Sequence, residues 1–342
     1  MIDYSFEQLS VEIEDAIARL FPDDAQEKSP ARLRWRFRDN PHGAGWFAVA
    51  RNSGRIVGMI GLSATRICSG SEAVAAYQVV DVIVDPESRG QGLFKGLGRT
   101  VLEGAAAVGA RMVWGFPNDQ AAPGWFGRFG WLRFGTAPFI VRPLRSGYFL
   151  GRLAPPLARL DVPLARAPRG SLAAIDEVER FTESFNKLAA GERYPCSVGR
   201  DAAMLNWRLC DRPDSHYRKV ALLGADGEPA ALVVSCVLNK HDGRIFYVME
   251  ALAAPGAEAS LARLLGHEIC RAAAAGADAA LAWCPRGAAN RAAYRRSGFL
   301  FLPDRLRPIT IHFGAKPLSD DLPAAVLEGK NWYLSYLDSD TV

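Results

Sequence analysis

The sequence predicts an α/β protein made of two tandem domains, each built on a mixed sheet. Three observations carry this: the length, an internal repeat, and the order of strand-like and helix-like patterns within each copy. At about 150 residues per domain, the 342 residues leave room for two cores. Hydrophobic residues make up 49% and charged residues 23% of the chain, and the mean hydropathy is −0.01. That is the composition of an ordinary globular protein, not of a disordered, collagenous or membrane chain.

The repeat is direct. Leu33-Arg34-Trp35-Arg36-Phe37-Arg38-Asp39-Asn40-Pro41 returns as Leu205-Asn206-Trp207-Arg208-Leu209-Cys210-Asp211-Arg212-Pro213, offset by 172 residues from Trp35 to Trp207. Each copy leads into a β-hairpin pattern, an apolar strand, a polar turn and a second strand. In the first half these are Phe47 to Ala50, Asn52-Ser53-Gly54 and Ile56 to Leu62; in the second, Lys219 to Leu223, Gly224 to Gly227 and Pro229 to Val237.

A further strand ends in proline in both halves, Val79 to Pro86 and Val248 to Pro255, and Asp81 and Glu250 fall at the same place in it. A helix follows (Gly92 to Val108; Ser260 to Ala275), then a short strand (Met112 to Gly115; Ala279 to Trp283) and a segment closing on Gly130-Trp131 or Gly298-Phe299. A last strand is expected near Phe139 to Arg142 and near Ile309 to Phe313. The prolines at 155, 156, 163 and 168 place the boundary in Ser146 to Arg169. The expected division is therefore 1–148, a Pro-rich linker at 149–169, and 170–342.

Composition excludes several classes of function. With 41 basic against 37 acidic residues, the net charge of +4 is too small for nucleic-acid wrapping; a small anionic ligand fits better. No apolar run reaches the 18 or so residues of a spanning helix, and Met1-Ile2-Asp3-Tyr4 lacks the basic start of a secretory signal. A cytoplasmic protein without a nucleic-acid or membrane partner is expected, as a monomer or homodimer. The six cysteines form no C-x-x-C pair, so no metal site is expected and the thiols should be reduced. No serine sits in a nucleophile elbow.

The sharpest local signal is Val82 to Leu97, read as strand, tight loop and helix. Gly90 and Gly92 let the backbone approach an anion without a Cβ in the way. The loop then presents free amides at a helix N-terminus, where a phosphate is favoured by hydrogen bonding and by the helix dipole. The spacing is neither that of a P-loop nor that of a dinucleotide fingerprint.

Arg89-Gly90-Gln91-Gly92-Leu93-Phe94 resembles the acyl-CoA pyrophosphate loop of the GNAT acetyltransferase superfamily: Arg or Gln, two residues, Gly, one residue, then Gly or Ala. Phe94 departs from the last position, which is tolerable if its ring enters the core and only its amide meets the ligand. After Met112 to Gly115 the family's downstream pattern is matched at Asp119, Ala122, Phe126, Gly130 and Trp131, with Asn118 one place ahead of the expected asparagine. Phe126 stands where many members have a tyrosine that protonates the leaving thiolate. The second half has Tyr294 at that spacing, but Pro255 to Ala262 replaces the loop, with Glu258 where Arg89 would be. An acid there repels a pyrophosphate, so only the first half is read as a cofactor site and Tyr294 as a packing residue.

The resemblance implies acyl transfer from acetyl-CoA, with no metal. Val82, Ile83 and Val84 would pair with the pantetheine arm, and an amide there would polarise the thioester carbonyl. Arg89, Gly90, Gln91, Gly92, Leu93, Phe94 and Lys95 would cradle the pyrophosphate, with Asn118 as a further cofactor contact and Asp119 beside it. An amine or hydroxyl of a small molecule or sugar would attack the thioester directly in a ternary complex, with Asp81 as the base. The other reading of Asp81 is a carboxylate satisfied by a neighbouring basic group. Strand alternation places Asp81 with Val79 and Ile83, opposite Val82 and Val84. The repeated Trp-Arg pairs read as structural anchors, and the arginines at 32, 34, 36 and 38 as a solvated face. Two other functions stay open: a tRNA-dependent aminoacyltransferase of the Fem type, and a non-catalytic acyl-CoA-binding protein.

Overall fold

A computed structural model describes residues 2–165, 175–189, 194–214, 216–304, 307 and 309–339. Pro168, part of the expected linker, lies outside the described residues. The chain forms two compact units, one of Met1–Thr136, Asp211–Asp214 and Ile311–Gly329, the other of Ala137–Cys210, Ser215–Thr310 and Lys330–Val342.

The first unit runs β1 (Ile2–Glu7), α1 (Val11–Leu20), α2 (Pro30–Phe37), β2 (Trp46–Asn52), β3 (Arg55–Ser69), β4 (Glu72–Val84), α3 (Leu93–Ala107), β5 (Met112–Gly115) and β6 (Leu132–Thr136). Ser53 and Gly54, both at positive φ, make the two-residue turn between β2 and β3, a backbone twist that suits a hairpin. On one face of the sheet α3 buries Leu93, Leu97, Val101 and Ala105 against Ala48, Ile60, Leu62 and Val113, at helical spacing on one stripe. On the other face α1 and α2 bury Ile13, Ile17, Leu33 and Phe37 against Phe47, Val49, Met59 and Val80. Fully burying each such side chain contributes about 1.5–3 kcal/mol.

The second unit runs β7 (Phe139–Pro143), α4 (Ser146–Leu153), β8 (Ile175–Glu177), β9 (Cys196–Val198), α5 (Ala202–Leu209), β10 (Arg218–Leu223), β11 (Pro229–Lys240), β12 (Gly243–Ala253), α6 (Glu258–Ala274), β13 (Ala279–Trp283), α7 (Arg291–Arg296) and β14 (Leu300–Phe301). Strand β15 (His312–Pro317) returns to the first unit, and β16 (Trp332–Tyr333) pairs with β9 in the second. The sheets are β1-β2-β3-β4-β5-β15-β6 and β8-β10-β11-β12-β13-β7-β14. Position by position they match: β12 lies parallel to β13 as β4 does to β5, and β7 antiparallel to β13 as β15 does to β5. Two mixed sheets of matching order are consistent with a tandem arrangement of one unit.

The last strands are exchanged, which the sequence pattern did not predict. The Phe139 strand, expected to close the first sheet, sits in the second, and the strand expected near Ile309 to Phe313, found at His312–Pro317, sits in the first. Only two residues separate β6 from β7, and Pro138 biases Ala137 toward extended backbone, so the chain runs onward instead of folding back. Equivalent strands of a duplicated unit present the same apolar alternation, so exchanging them costs little. The units accordingly divide at Thr136/Ala137, not within Ser146 to Arg169. That stretch is not free of regular structure either: α4 ends before Pro155, and a short 3-10 turn spans Pro155–Arg159.

Candidate functional site

The site is built where β4 leaves β5. Strand β4 pairs with β5 only from Ala76 to Val79 (Val79 opposite Gly115), yet stays paired with β3 to Val84. Beyond Val79 the two parallel strands diverge, so Val82, Ile83 and Val84 border an opening in the sheet. The register with β3 shifts between Met59 and Gly61, and Asp81 has φ +52, a β-bulge with a non-glycine residue in left-handed backbone. Such a conformation costs on the order of 1–3 kcal/mol and re-aims a side chain.

The bulge changes which face each residue takes. Val79, Val82 and Val84 pack toward α3, whereas Val80 and Ile83 pack toward α1 and α2. Asp81 shares a side with Ile83, as alternation predicted, but not with Val79, because the extra residue resets the period of two. Its Oδ1 is bound by Lys28 Nζ, with both side chains nearly buried, while Oδ2 is buried without a hydrogen-bond partner. Lys28 comes from the turn before α2 and stands 5.1 Å from the Phe21 ring centre. Nothing in the sequence singled it out; a lone lysine in a polar turn carries no motif.

The loop after β4 opens at Asp85, whose Oδ1 accepts from the Glu87 amide at 3.2 Å. Arg89 donates from Nε to the Val84 carbonyl at 3.3 Å and is exposed, as are Gly90, Gln91, Gly92 and Lys95. Gly90 and Gly92 lie at φ +79 and +75, with open space where a Cβ would stand, so the backbone here can be approached closely. Gly92 caps α3 with no side chain in the way; the Lys95 amide turns back to the Gly92 carbonyl at 2.9 Å, and the amides ahead of it have no carbonyl of the helix to meet. Phe94 turns its ring into the core, 5.3 Å from Trp125 and 5.7 Å from Phe129 between centres. Its departure from the loop pattern therefore leaves the amide side clear. Asn118 is exposed, and its Oδ1 accepts from the Ala121 amide at 3.0 Å; it caps the turn after β5.

Diverging parallel strands, a positive-φ glycine loop and a helix N-terminus lie side by side here, and such a helix start favours an anionic group. Residues 9–134 match the acetyltransferase (GNAT) domain model. That match runs from α1 into β6 of the first unit and leaves the second unit unmatched. Solved structures agree on the fold: a GCN5-related N-acetyltransferase from Anabaena variabilis (14% identity, TM-score 0.61, covering 93% of this chain and 73% of that one), N-myristoyltransferase from Saccharomyces cerevisiae with bound myristoyl-CoA (10%, 0.59, 91% and 82%) and Eis1 from Mycobacterium abscessus (14%, 0.55, 95% and 76%). No curated protein matches the chain in sequence.

In the first unit, Phe126 faces a group that the sequence analysis missed. Strand exchange brings His312 beside it, ring centres 6.1 Å apart, with Nε2 2.8 Å from Asp119 Oδ1. Arg133 lies over the Phe126 ring at 4.2 Å, and its Nη1 is 3.4 Å from His312 Nδ1. His312 lies 186 residues beyond Phe126 in the chain, so no local motif could have paired them. The supposed solvated arginine face is also not uniform: α2 buries Arg32 with Leu33, Trp35 and Phe37, and Arg32 pairs with Glu27.

The second copy repeats the opening and fills it. Strand β12 leaves β13 after Val248, matching Val79. There Asn290 Nδ2 donates to the Ala251 carbonyl at 2.7 Å and to Tyr333 Oη at 3.0 Å, while Glu250 accepts from the Ala251 amide, Tyr333 and Ser335. Tyr336 packs on Trp283 and Tyr247. The C-terminal segment thus bonds along β12 beyond the point where it leaves β13. Tyr294 is fully buried against Phe299, a packing residue, and burial pushes its hydroxyl well above the ordinary range. Trp35 and Trp207 are buried, and Arg208 donates to the carbonyls of Leu337 and Ser339. None of the six cysteines is in a disulfide, and no cluster of metal-ligating side chains occurs among the described residues.

Proposed function

We propose that the protein transfers an acetyl group from acetyl-CoA to an amine or hydroxyl of a small molecule or sugar, in the GNAT unit alone. The observation that carries this reading is the opening between β4 and β5, continuous with the Gly90–Gly92 loop and the N-terminus of α3. Pantetheine would lie along Val82, Ile83 and Val84. The pyrophosphate would meet the amides from Gly90 to Phe94, with Arg89 and Lys95 adding charge-assisted bonds.

The acceptor would approach from the α1 and α2 face, where the bulge presents Asp81. As its nitrogen or oxygen lone pair attacks the thioester carbonyl carbon, Asp81 Oδ2 takes the N–H or O–H proton, the C–S bond breaks, and the CoA thiolate leaves and takes its proton from water. Lys28 holds the other oxygen and orients the carboxylate. A non-catalytic acyl-CoA-binding protein is the second reading, favoured by Phe126 at the place of an acid and by the occupation of Asp81 by Lys28.

Calorimetric titration of acetyl-CoA tests the cofactor site, with Gly92→Glu as control. Micromolar binding lost in the variant supports the site; no binding by the wild type refutes both readings. Release of CoA thiol in the presence of an amine panel then separates the enzyme from the binding protein.

A further inference from the structure

The segment after β7 is a small, tight hairpin whose apolar side chains face outward. Helix α4 and the Pro155–Arg159 turn pack through Gly147 and Gly151: a Cβ at Gly147 would stand 2.6 Å from the Ala158 carbonyl oxygen, and one at Gly151 3.0 Å from the Ala158 Cβ. Ser146 N and Oγ bond the chain at Leu160 and Val162, and Arg145 pairs with Asp161. Tyr148 and Arg152 anchor the hairpin to the His241 carbonyl.

Held this rigidly, it presents Leu153 (80% exposed), Leu160 (60%), Val162 (56%) and Leu164 (49%), with Leu157 beside them. A fixed set of aliphatic side chains in water is an unpartnered surface. Its charge names the partner. From Arg145 to Ala165 the sequence holds three arginines and one acid, Asp161, and that acid is taken by Arg145. Arg152 and Arg159 are exposed among the leucines. Aliphatic side chains interleaved with arginines suit a membrane surface of anionic headgroups, which takes both at once.

We propose that this hairpin docks the protein peripherally on an anionic lipid surface. The expectation of no membrane partner came from the lack of a spanning helix, and among the described residues no helix is long and apolar enough to cross; a peripheral contact needs none. The inference is independent of the acyl-transfer reading.

Co-sedimentation of the full chain with phosphatidylcholine vesicles, with and without phosphatidylglycerol, tests it. Binding is expected only with phosphatidylglycerol, weakening as salt rises. Leu153→Glu/Leu160→Glu should lower partitioning at least tenfold, and Arg159→Gln about fivefold, the equivalent of one basic charge near the surface. All changed side chains are exposed, and circular dichroism checks that the variants fold. No binding to phosphatidylglycerol vesicles, or binding unaffected by the leucine changes, overturns the proposal. So does a concentration-dependent dimer that these changes abolish, which would make the hairpin a contact between copies.

Discussion

Replacing Arg200 by methionine tests how the second cleft is kept closed. The guanidinium is fully buried and makes four bonds: to Glu250 Oε2 at 2.8 Å, Asp338 Oδ2 at 2.6 Å, the Val198 carbonyl at 2.8 Å and Ser335 Oγ at 3.3 Å. Burial alone pulls its pKa down, but Asp338 and Glu250 outweigh burial and hold it above its ordinary range. Both carboxylates are wholly buried, so removing the cation leaves two like charges in a dry site. Breaking a buried ion pair from one side costs about 3–5 kcal/mol, and the second carboxylate puts this case at the upper end.

The loss should depend on pH, with a definite sign. Burial raises the Asp338 carboxyl above its usual range, while Arg200 opposes that rise. Without Arg200 it rises further, so the folded state keeps a proton that the unfolded chain has released. Stability then falls as pH increases from the unfolded pKa near 3.8 toward the new folded value, by up to about 1.4 kcal/mol per pH unit for one proton. Urea unfolding of wild type and variant across the range from mild acid to mild base measures this. A deficit below about 1 kcal/mol, or one equal at every pH, would refute the account, because a buried pair cannot lose its cation so cheaply.

Other outcomes follow from the first unit. Gly98→Ala puts a Cβ 2.1 Å from Phe129 Cζ, in a ring cluster with Phe94 and Trp125; overpacking should exceed the gain in helix propensity and cost roughly 1–2 kcal/mol, read as a lower Tm that Phe129→Leu restores. His42 is held at a pKa of about 4 by burial and then by Arg66. Its neutral form stabilises the fold fully above about pH 6.5, and that contribution, roughly 3 kcal/mol at most, is lost as pH falls toward 4; in His42→Gln, acid unfolding should lose this component, and an unchanged curve would count against it. Once an acceptor is known, Asp81→Asn should lower kcat by about 10²–10⁴ while acetyl-CoA affinity holds; an unchanged kcat would remove Asp81 from proton transfer. His312→Ala in the same assay reads whether the His312–Asp119 pair beside Phe126 contributes.

Much of this site was legible in order along the chain. The loop from Arg89 to Lys95 is local, so strand, glycines and helix start can be read from neighbours, and Phe94 was readable because core packing is the one place a large ring there can go. Side-chain direction at Asp81 was only half legible: alternation holds until a bulge, and the bulge reflects pairing with β3 rather than any residue type in β4. Lys28 and His312 were not legible, since each meets its partner across many intervening residues.

The sequence by itself determined the duplicated α/β unit, the helices and strands of each copy and the phosphate-type loop, because propensity, periodicity and turn chemistry act over a few residues. Only the tertiary structure decided the exchange of β7 and β15, the Lys28–Asp81 pair and the filling of the second cleft by Asn290, Tyr333 and Tyr336. These depend on which of two equivalent surfaces a segment meets. That choice is made by long-range packing and burial of charge, and equivalent halves carry the same local pattern for either answer.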